Sequence, residues 1–164
     1  MAGETCEPPD RPCILVVDDD ADLVALLFDI LKQEGFSIVA ASHGQQALDI
    51  LEHGLRPHVI LIDLLLPRVS GVDVLHHIRT DPALRAIPRI VITGSDGNGN
   101  GAIVADAVFR KPFDHDELIA AIHRLVEKDV STSARRITPP PARAAAHDTP
   151  KSERRGRPIP RTNR

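Results

Sequence analysis

The sequence has few of the features that mark membrane, secreted or zinc-binding proteins. No apolar run in the 164 residues approaches the ~18 residues of a membrane-spanning helix. The N-terminus is acidic and proline-containing, which is not typical of a secretory signal. Cys6 and Cys13 are the only cysteines, and no second Cys or His pair completes a zinc-binding spacing. We therefore expect a cytoplasmic protein with two reduced thiols, in which Cys13 begins the first strand.

Charge and proline divide the chain into three parts. Residues 131–164 contain nine Lys or Arg residues against two acids, although the whole chain has a formal net charge of −3. Nine of the fourteen prolines lie outside residues 13–130. Such composition is typical of segments that do not fold. The sequence therefore predicts a disordered N-terminal segment over 1–12, an acidic folded domain over 13–129, and a disordered basic tail over 130–164.

Strand-like apolar runs alternate with helical patterns within the predicted domain. Repeated βα units of this size indicate an α/β fold, with a parallel sheet covered by helices on both faces. One segment interrupts the alternation, because residues 94–101 contain four glycines, which disfavour helix. We expect the helix between strands four and five to be shortened or absent. The predicted strands are 13–17, 37–41, 58–62, 89–92 and 107–110; the helical patterns cover 23–31, 45–52, 74–78 and 114–126.

Side chains that can bind a metal or take part in a reaction follow four of these strands. The carboxyl ends of parallel strands share one edge, where open α/β sheets bind ligands. Several carboxylates gathered there repel one another unless a cation lies among them, so the pattern indicates a hard divalent metal. Acids, a hydroxyl and an amine around a metal suit phosphoryl chemistry. The residues are Asp18, Asp19 and Asp20 after strand one, Asp63 after strand three, Thr93 after strand four and Lys111 after strand five.

Four sequence runs resemble those of bacterial response-regulator receiver domains. They are ILVVDDD, LIDLLLPRVSG, IVITG and FRKPF, and the match covers residues 13–129 in the family's order. The resemblance implies a flavodoxin-like, doubly wound, five-stranded parallel sheet of order 2-1-3-4-5. It also implies a phosphoacceptor of two-component phosphorelay signalling rather than an enzyme, with at most self-dephosphorylation activity. The implied partners are a sensor histidine kinase or phosphotransfer protein, and a downstream protein.

The same resemblance gives the acids separate roles. Asp63 would be the phosphoacceptor and would attack phosphohistidine to form an acyl phosphate. Asp19 would bind Mg²⁺ directly and Asp18 through water, and the backbone carbonyl of Leu65 would complete the protein ligands together with Asp63. Asp20 falls where the family varies, and we assign it no role.

The resemblance also assigns the amine and the hydroxyl. Lys111 would pair with the phosphoryl oxygens, and the Thr93 hydroxyl would move to meet them. Three residues before the lysine, where the family usually has Tyr or Phe, this chain has Val108. Phe109 is adjacent, but it should point to the other face because residues alternate along a strand. Leu65 places an aliphatic side chain beside the path of hydrolytic water, so we expect slow self-dephosphorylation.

Three alternative interpretations remain open. A degenerate receiver would keep these residues but act only as a protein-interaction module. A phosphatase with a nucleophilic aspartate would need a second Asp two positions after Asp63, where Leu65 stands. The tail run 154–158, Arg-Arg-Gly-Arg-Pro, resembles the AT-hook core, in which arginines enter the minor groove of A·T tracts. Arg155 and Arg157 are the candidate DNA contacts; other acidic partners or anionic lipids would also attract such a tail.

Overall fold

The computed structural model describes residues 11–94 and 104–136, except for the side chains of 129–136. These ranges contain five strands and four helices. The strands are β1 (Cys13–Val17), β2 (Ser37–Ala41), β3 (Val59–Asp63), β4 (Arg89–Thr93) and β5 (Ala107–Arg110). The helices are α1 (Ala21–Gln33), α2 (Gly44–Glu52), α3 (Gly71–Thr80) and α4 (His115–Arg136).

The strands form one parallel sheet in the order β2-β1-β3-β4-β5, which confirms the predicted flavodoxin-like topology. β1 and β3 are buried throughout and β4 almost throughout, whereas the edge strands β2 and β5 alternate between more and less buried residues. A strand covered on both faces needs apolar side chains on both faces. This requirement explains why the inner strands appear in the sequence as continuous apolar runs.

Helices cover both faces of the sheet and make two hydrophobic cores. Ile14 and Val16 of β1 point to the face covered by α1 and α4, and Leu15 and Val17 point to the face covered by α2 and α3. Each fully buried aliphatic side chain of this kind stabilises the fold by about 1.5–3 kcal/mol. The two cores hold the strands in fixed register, so the carboxyl edge of the sheet is a rigid platform for the residues that follow each strand.

Some predicted boundaries differ from those observed. The third strand was predicted over 58–62 but is Val59–Asp63, because Asp63 still pairs with Ile92 of β4. The fourth strand likewise continues by one residue to Thr93, which pairs with Arg110 of β5. The last helix begins at His115, directly after Asp114, whose carboxylate accepts hydrogen bonds from the amides of residues 116 and 117. Its backbone continues to Arg136, seven residues past the predicted end of the domain at 129.

Further predictions concern the glycine-rich segment, the two ends of the chain and the cysteines. All of the glycine-rich segment 94–101 except Gly94 lies outside the described residues, as do residues 1–10 and 137–164 of the predicted disordered ends. Cys13 does begin β1, but the prediction of two reduced thiols is wrong for Cys13, which is disulfide-bonded. Among the helices that the structure describes, none is long and apolar enough to span a bilayer.

Candidate functional site

Three carboxylates meet at the carboxyl edge of the sheet. Asp18 directly follows β1, Asp19 is the next residue, and Asp63 ends β3, the strand that pairs with β1. One carboxylate oxygen from each lies within 4.8 Å of those of the other two. Asp18 and Asp63 are buried, with 4% and 6% of their surfaces exposed, whereas Asp19 is exposed. The predicted convergence of these acids is confirmed by the geometry, and it places two buried carboxylates side by side.

Lys111 lies between the two buried carboxylates. Its Nζ atom donates to Asp18 Oδ2 at 2.8 Å and to Asp63 Oδ2 at 2.7 Å. Burial by itself lowers the pKa of Lys111, but the hydrogen bonds and negative charges of Asp18 and Asp63 outweigh it and raise that pKa above its usual value. The lysine therefore stays charged at neutral pH, and its charge offsets the repulsion between the two acids.

The remaining oxygens of the buried acids accept backbone hydrogen bonds. Asp63 Oδ1 accepts from the Leu65 amide at 2.9 Å, and Asp18 Oδ1 accepts from the Asp20 amide at 2.9 Å. Each carboxylate is thus held through one oxygen by the backbone and through the other by Lys111. Side chains fixed in this way lose little further freedom when a ligand binds, so the site is preorganised.

Thr93 lies at the end of β4, next to the strand that leads to Lys111. The side chain of Thr93 is buried, and its backbone carbonyl accepts a hydrogen bond from the Lys111 amide at 2.9 Å. This bond ties the end of β4 to the residue after β5. The predicted placement of both residues on the acidic edge agrees with this geometry.

Asp20 has a structural role that our reading of the sequence missed. It is the N-cap of α1, and its Oδ1 atom accepts from the amides of Asp22 and Leu23 at 3.1 Å each. An aspartate immediately before a helical pattern is a strong capping signal, worth about 0.5–2 kcal/mol. That signal was available in the sequence, but the run of three acids obscured it. Asp20 therefore stabilises the helix that begins beside the site and does not point into the acid cluster of Asp18, Asp19 and Asp63.

β5 shows which residue stands at the position where the family usually has an aromatic ring. Val108 is 51% exposed, and Phe109 packs into the core shared with α1 and α4, as the alternation along the strand predicts. The backbone of Val108 pairs with Val91 of β4, a residue of the opposite core. An exposed valine therefore stands on the face where a rotating aromatic ring would be expected, and Phe109 does not substitute for it.

The donor set fits a hard divalent cation. Carboxylate oxygens are the ligands that Mg²⁺ and Ca²⁺ prefer, and each carboxylate has about four lone-pair positions. The bonds from Lys111, Leu65 and Asp20 occupy only some of the positions on Asp18 and Asp63. Asp19, which is exposed beside them, offers a further carboxylate with access from solvent. The three acids can therefore hold a small cation without breaking the hydrogen bonds that orient them.

Comparison with known proteins assigns this arrangement to a family. The family model described as the response regulator receiver domain matches residues 14–123. The chain belongs to this family. Receiver domains are signalling modules of two-component systems, so the family predicted from the four sequence runs is confirmed. The match covers all five strands except Cys13, together with the first part of α4, and includes all the residues of the acid cluster.

Two curated relatives show how far the similarity extends. CpxR of Escherichia coli (strain K12), a transcriptional regulatory protein, is 33% identical over 119 residues, which are 70% of this chain and 49% of CpxR. MtrA of Mycobacterium tuberculosis (strain H37Rv), a DNA-binding response regulator, is 34% identical over 123 residues, 73% of this chain and 52% of MtrA. The chain therefore spans about half the length of these relatives.

Solved structures show the same fold. The receiver domain of the Francisella response regulator 1452 has 27% identity and a TM-score of 0.64, over 72% of this chain and 98% of that one. The response regulator TrrA of Thermotoga maritima, solved in complex with Mg²⁺ and BeF, has 29% identity and a TM-score of 0.63. That match covers 70% of this chain and 99% of TrrA. Both neighbours are matched over nearly their whole length, so this chain shares the receiver fold.

Proposed function

We propose that this receiver domain is a phosphoacceptor, phosphorylated on Asp63 in the presence of Mg²⁺, and that it acts by changing its contacts with a downstream protein. The observation that carries the proposal is the bridge of Lys111 between Asp18 and Asp63, because it combines a nucleophilic carboxylate with a fixed positive charge. A structural cap for a strand end would not need two buried acids and a lysine at one point. The donor would be a phosphohistidine of a sensor kinase or a phosphotransfer protein.

The chemistry follows from the groups in place. A carboxylate oxygen of Asp63 forms a bond to phosphorus while the phosphorus–nitrogen bond of the phosphohistidine breaks, which leaves an acyl phosphate on Asp63. Lys111 pairs with the phosphoryl oxygens, and the Thr93 hydroxyl serves as a second donor. Asp18, Asp19, Asp63 and the Leu65 carbonyl would hold Mg²⁺, which supplies positive charge for the phosphoryl oxygens when bound. No general acid is needed for such a transfer, which favours a signalling switch over a phosphatase.

A groove leads to the exposed side of the acids and suits the approach of a partner. It has a volume of about 560 Å³ and runs between α1 and the end of β2, with Asp18 and Asp19 at one end. Phe28 and Ala25 of α1 form part of its wall, and Phe28 is 41% exposed. An apolar surface beside a charged site is typical of surfaces that bind other proteins. We therefore place the docking of the phosphodonor protein along α1.

The direct test is the mass of the intact protein after incubation with acetyl phosphate. We expect one added phosphoryl group with Mg²⁺ and none when EDTA replaces it, because the acids need the cation to tolerate a phosphoryl group beside them. The half-life of the label, followed after acetyl phosphate is removed, tests the expectation that Leu65 makes hydrolysis slow; Leu65 is 64% exposed. Failure of the wild-type protein to gain mass with Mg²⁺ would favour the degenerate-receiver alternative.

A second candidate function depends on the basic tail. The Arg-Arg-Gly-Arg-Pro run over 154–158 lies outside the described residues, so it is supported by the sequence alone. If Arg155 and Arg157 contact the minor groove, the protein will bind A·T-rich duplex with a strong salt dependence. Changing both residues to Ala should weaken binding to A·T-rich duplex more than binding to G·C-rich duplex, measured by fluorescence anisotropy of labelled DNA. Equal losses on both duplexes and on heparin would indicate a general polyanion contact instead.

A further inference from the structure

The loop between β3 and α3, residues 64–70, directly supports the proposed phosphoacceptor. Its Leu65 amide donates to Asp63 Oδ1 at 2.9 Å, and the Leu65 carbonyl is the proposed metal ligand. The loop is closed by a hydrogen bond from the Gly71 amide to the Leu64 carbonyl at 3.1 Å. Within it, Arg68 has a φ of 69°, in the left-handed region that non-glycine residues rarely adopt. Surrounding contacts must therefore hold the loop in this conformation.

Gly71 makes one of these contacts. A Cβ atom at this position would lie 2.0 Å from the Asp63 carbonyl oxygen and 2.7 Å from Leu64 Cα. Both are backbone atoms of the phosphoacceptor residue and its neighbour, so they cannot rotate away as a flexible side chain would. Gly71 is also the first residue of α3, where glycine is a poor helix former. The absence of a side chain therefore allows α3 to begin directly against the backbone of Asp63.

Gly44 makes the corresponding contact at the other end of the loop. It is the first residue of α2, an element that contributes no residue to the acid cluster. A Cβ atom on Gly44 would lie 2.3 Å from the Val69 carbonyl oxygen and 2.9 Å from Val74 Cγ2. The start of α2 thus rests on the loop backbone immediately before Ser70, the N-cap of α3. The starts of α2 and α3 thus contact the loop backbone so closely that only glycine, which has no side chain, fits at either position.

We propose that Gly44 and Gly71 are positioning residues that clamp the β3–α3 loop between α2 and α3. The clamp sets where the Leu65 amide holds the Asp63 carboxylate and where the Leu65 carbonyl lies. Gly71 acts on Asp63 and Leu64 directly, and Gly44 acts through the Val69 carbonyl. The inference deepens the proposed function and rests on it, since it concerns the geometry of the same metal and phosphoacceptor site. It adds a control point on α2, an element that contributes none of the residues assigned to the chemistry.

Alanine substitutions at the two glycines test the clamp, with Gly94→Ala as the matched control. Among the residues that the structure describes, no atom lies within 4 Å of a Cβ on Gly94, although this residue directly follows Thr93. Because a displacement of ~1 Å can slow a reaction ~100-fold, we expect Gly71→Ala to reduce the initial rate of acetyl phosphate labelling about 100-fold. Gly44→Ala, which acts through one more residue, should reduce it about 10-fold. Gly94→Ala should leave the rate unchanged.

Two readouts do not depend on phosphoryl transfer. Isothermal titration should show weaker Mg²⁺ binding for both glycine variants, and the amide resonance of Leu65 should shift in the metal-free proteins. Circular dichroism identifies variants that remain folded. If Gly71→Ala does not fold, Gly44→Ala combined with Val74→Ala carries the test, with Val74→Ala alone as its control. The second change relieves the side-chain contact but leaves the contact with the Val69 carbonyl.

The outcomes separate the clamp from the proposed function. Folded glycine variants with the labelling rate, Mg²⁺ affinity and Leu65 resonance of the wild type would overturn the clamp and leave phosphorylation of Asp63 intact. A wild-type protein that gains no phosphoryl group would overturn the proposed function. The clamp would then be tested by the Mg²⁺ affinity and the Leu65 resonance alone. Recovery of Mg²⁺ affinity in Gly44→Ala on adding Val74→Ala would also count against it, because crowding of one side chain would then explain the defect.

Discussion

Asp63→Asn should abolish labelling by acetyl phosphate, with no phosphoryl mass detected under conditions that label the wild-type protein fully. Asparagine has nearly the same shape, and its carbonyl oxygen can still accept the hydrogen bond that the Leu65 amide donates. What it lacks is the nucleophilic carboxylate, and removal of a catalytic nucleophile lowers rates by on the order of 10⁴-fold or more. Mg²⁺ binding should also weaken, by about 10-fold or more, because one of the three clustered carboxylates is gone.

Asp20→Asn is the matched control for this substitution. It removes one charge from the same run of acids, yet asparagine is as good an N-cap as aspartate, so α1 should keep its start. The label should therefore form on Asp20→Asn at the wild-type rate. Labelling that persists in Asp63→Asn would move the acceptor to another acid and contradict the proposed mechanism. Loss of labelling in both variants would indicate that the total charge of the acidic edge matters, rather than one nucleophile.

The sequence predicted the acidic edge of the sheet well because periodicity and strand polarity determine it. Asp18, Asp63, Thr93 and Lys111 each follow or end an apolar run, and parallel strands necessarily bring such residues to one edge. The one-residue differences at Asp63 and Thr93 arise from pairing, since a polar residue remains in a strand when its neighbour continues the hydrogen-bonded ladder. The strand propensity of one segment does not show how far its neighbouring strand continues the pairing.

The support around the site was harder to predict because it depends on approach distances between distant segments. Gly44 and Gly71 appear in the sequence as ordinary loop or helix-start glycines, and only the packed fold places them against the backbone of Val69 and Asp63. A glycine as the first residue of a helix is a weak sign of such an approach, because another residue would make a better helix there. The sequence therefore identifies the candidate site residues more readily than the residues that hold them in place.

The resemblance to receiver domains also left open how a phosphorylated state would be recognised. The side chains of β5 bear on this question. Val108 is exposed, and Phe109 is committed to the core of α1 and α4. A switch based on an aromatic ring turning from solvent to the interior has no ring on the face of β5 that Val108 occupies. The change on phosphorylation would then be carried by the groups that contact the phosphoryl site, Thr93 and the loop after Asp63. Of these two, the loop is the one that a partner can reach directly, because Leu65 is 64% exposed whereas Thr93 is buried.

Lys111→Met should have the second largest effect, because it removes the charge that both buried acids share. Labelling by acetyl phosphate should slow by about 10²–10³-fold, the usual cost of losing one charged donor at a developing anion. The metal-free protein should also lose about 2 kcal/mol of unfolding free energy at pH 7, since Asp18 and Asp63 would remain as an unpaired pair of like charges. This value is below the full cost of a buried pair because the Lys111 side chain is 25% exposed.

The stability difference should depend on pH in one direction. The pKa of Lys111 is raised in the folded state, so its stabilisation is fully present below its ordinary value of 10.5 and is lost as the pH rises through the folded value. Urea unfolding in EDTA should therefore show the gap between wild type and Lys111→Met undiminished at pH 7–9 and smaller only above about pH 10.5. Lys32→Met is the control: Lys32 Nζ lies 5.6 Å from the Phe28 ring centre, and its loss should cost about 0.5–1 kcal/mol. Equal losses of stability and labelling in the two lysine variants would show that general surface charge, and not the bridge at the acidic edge, is responsible.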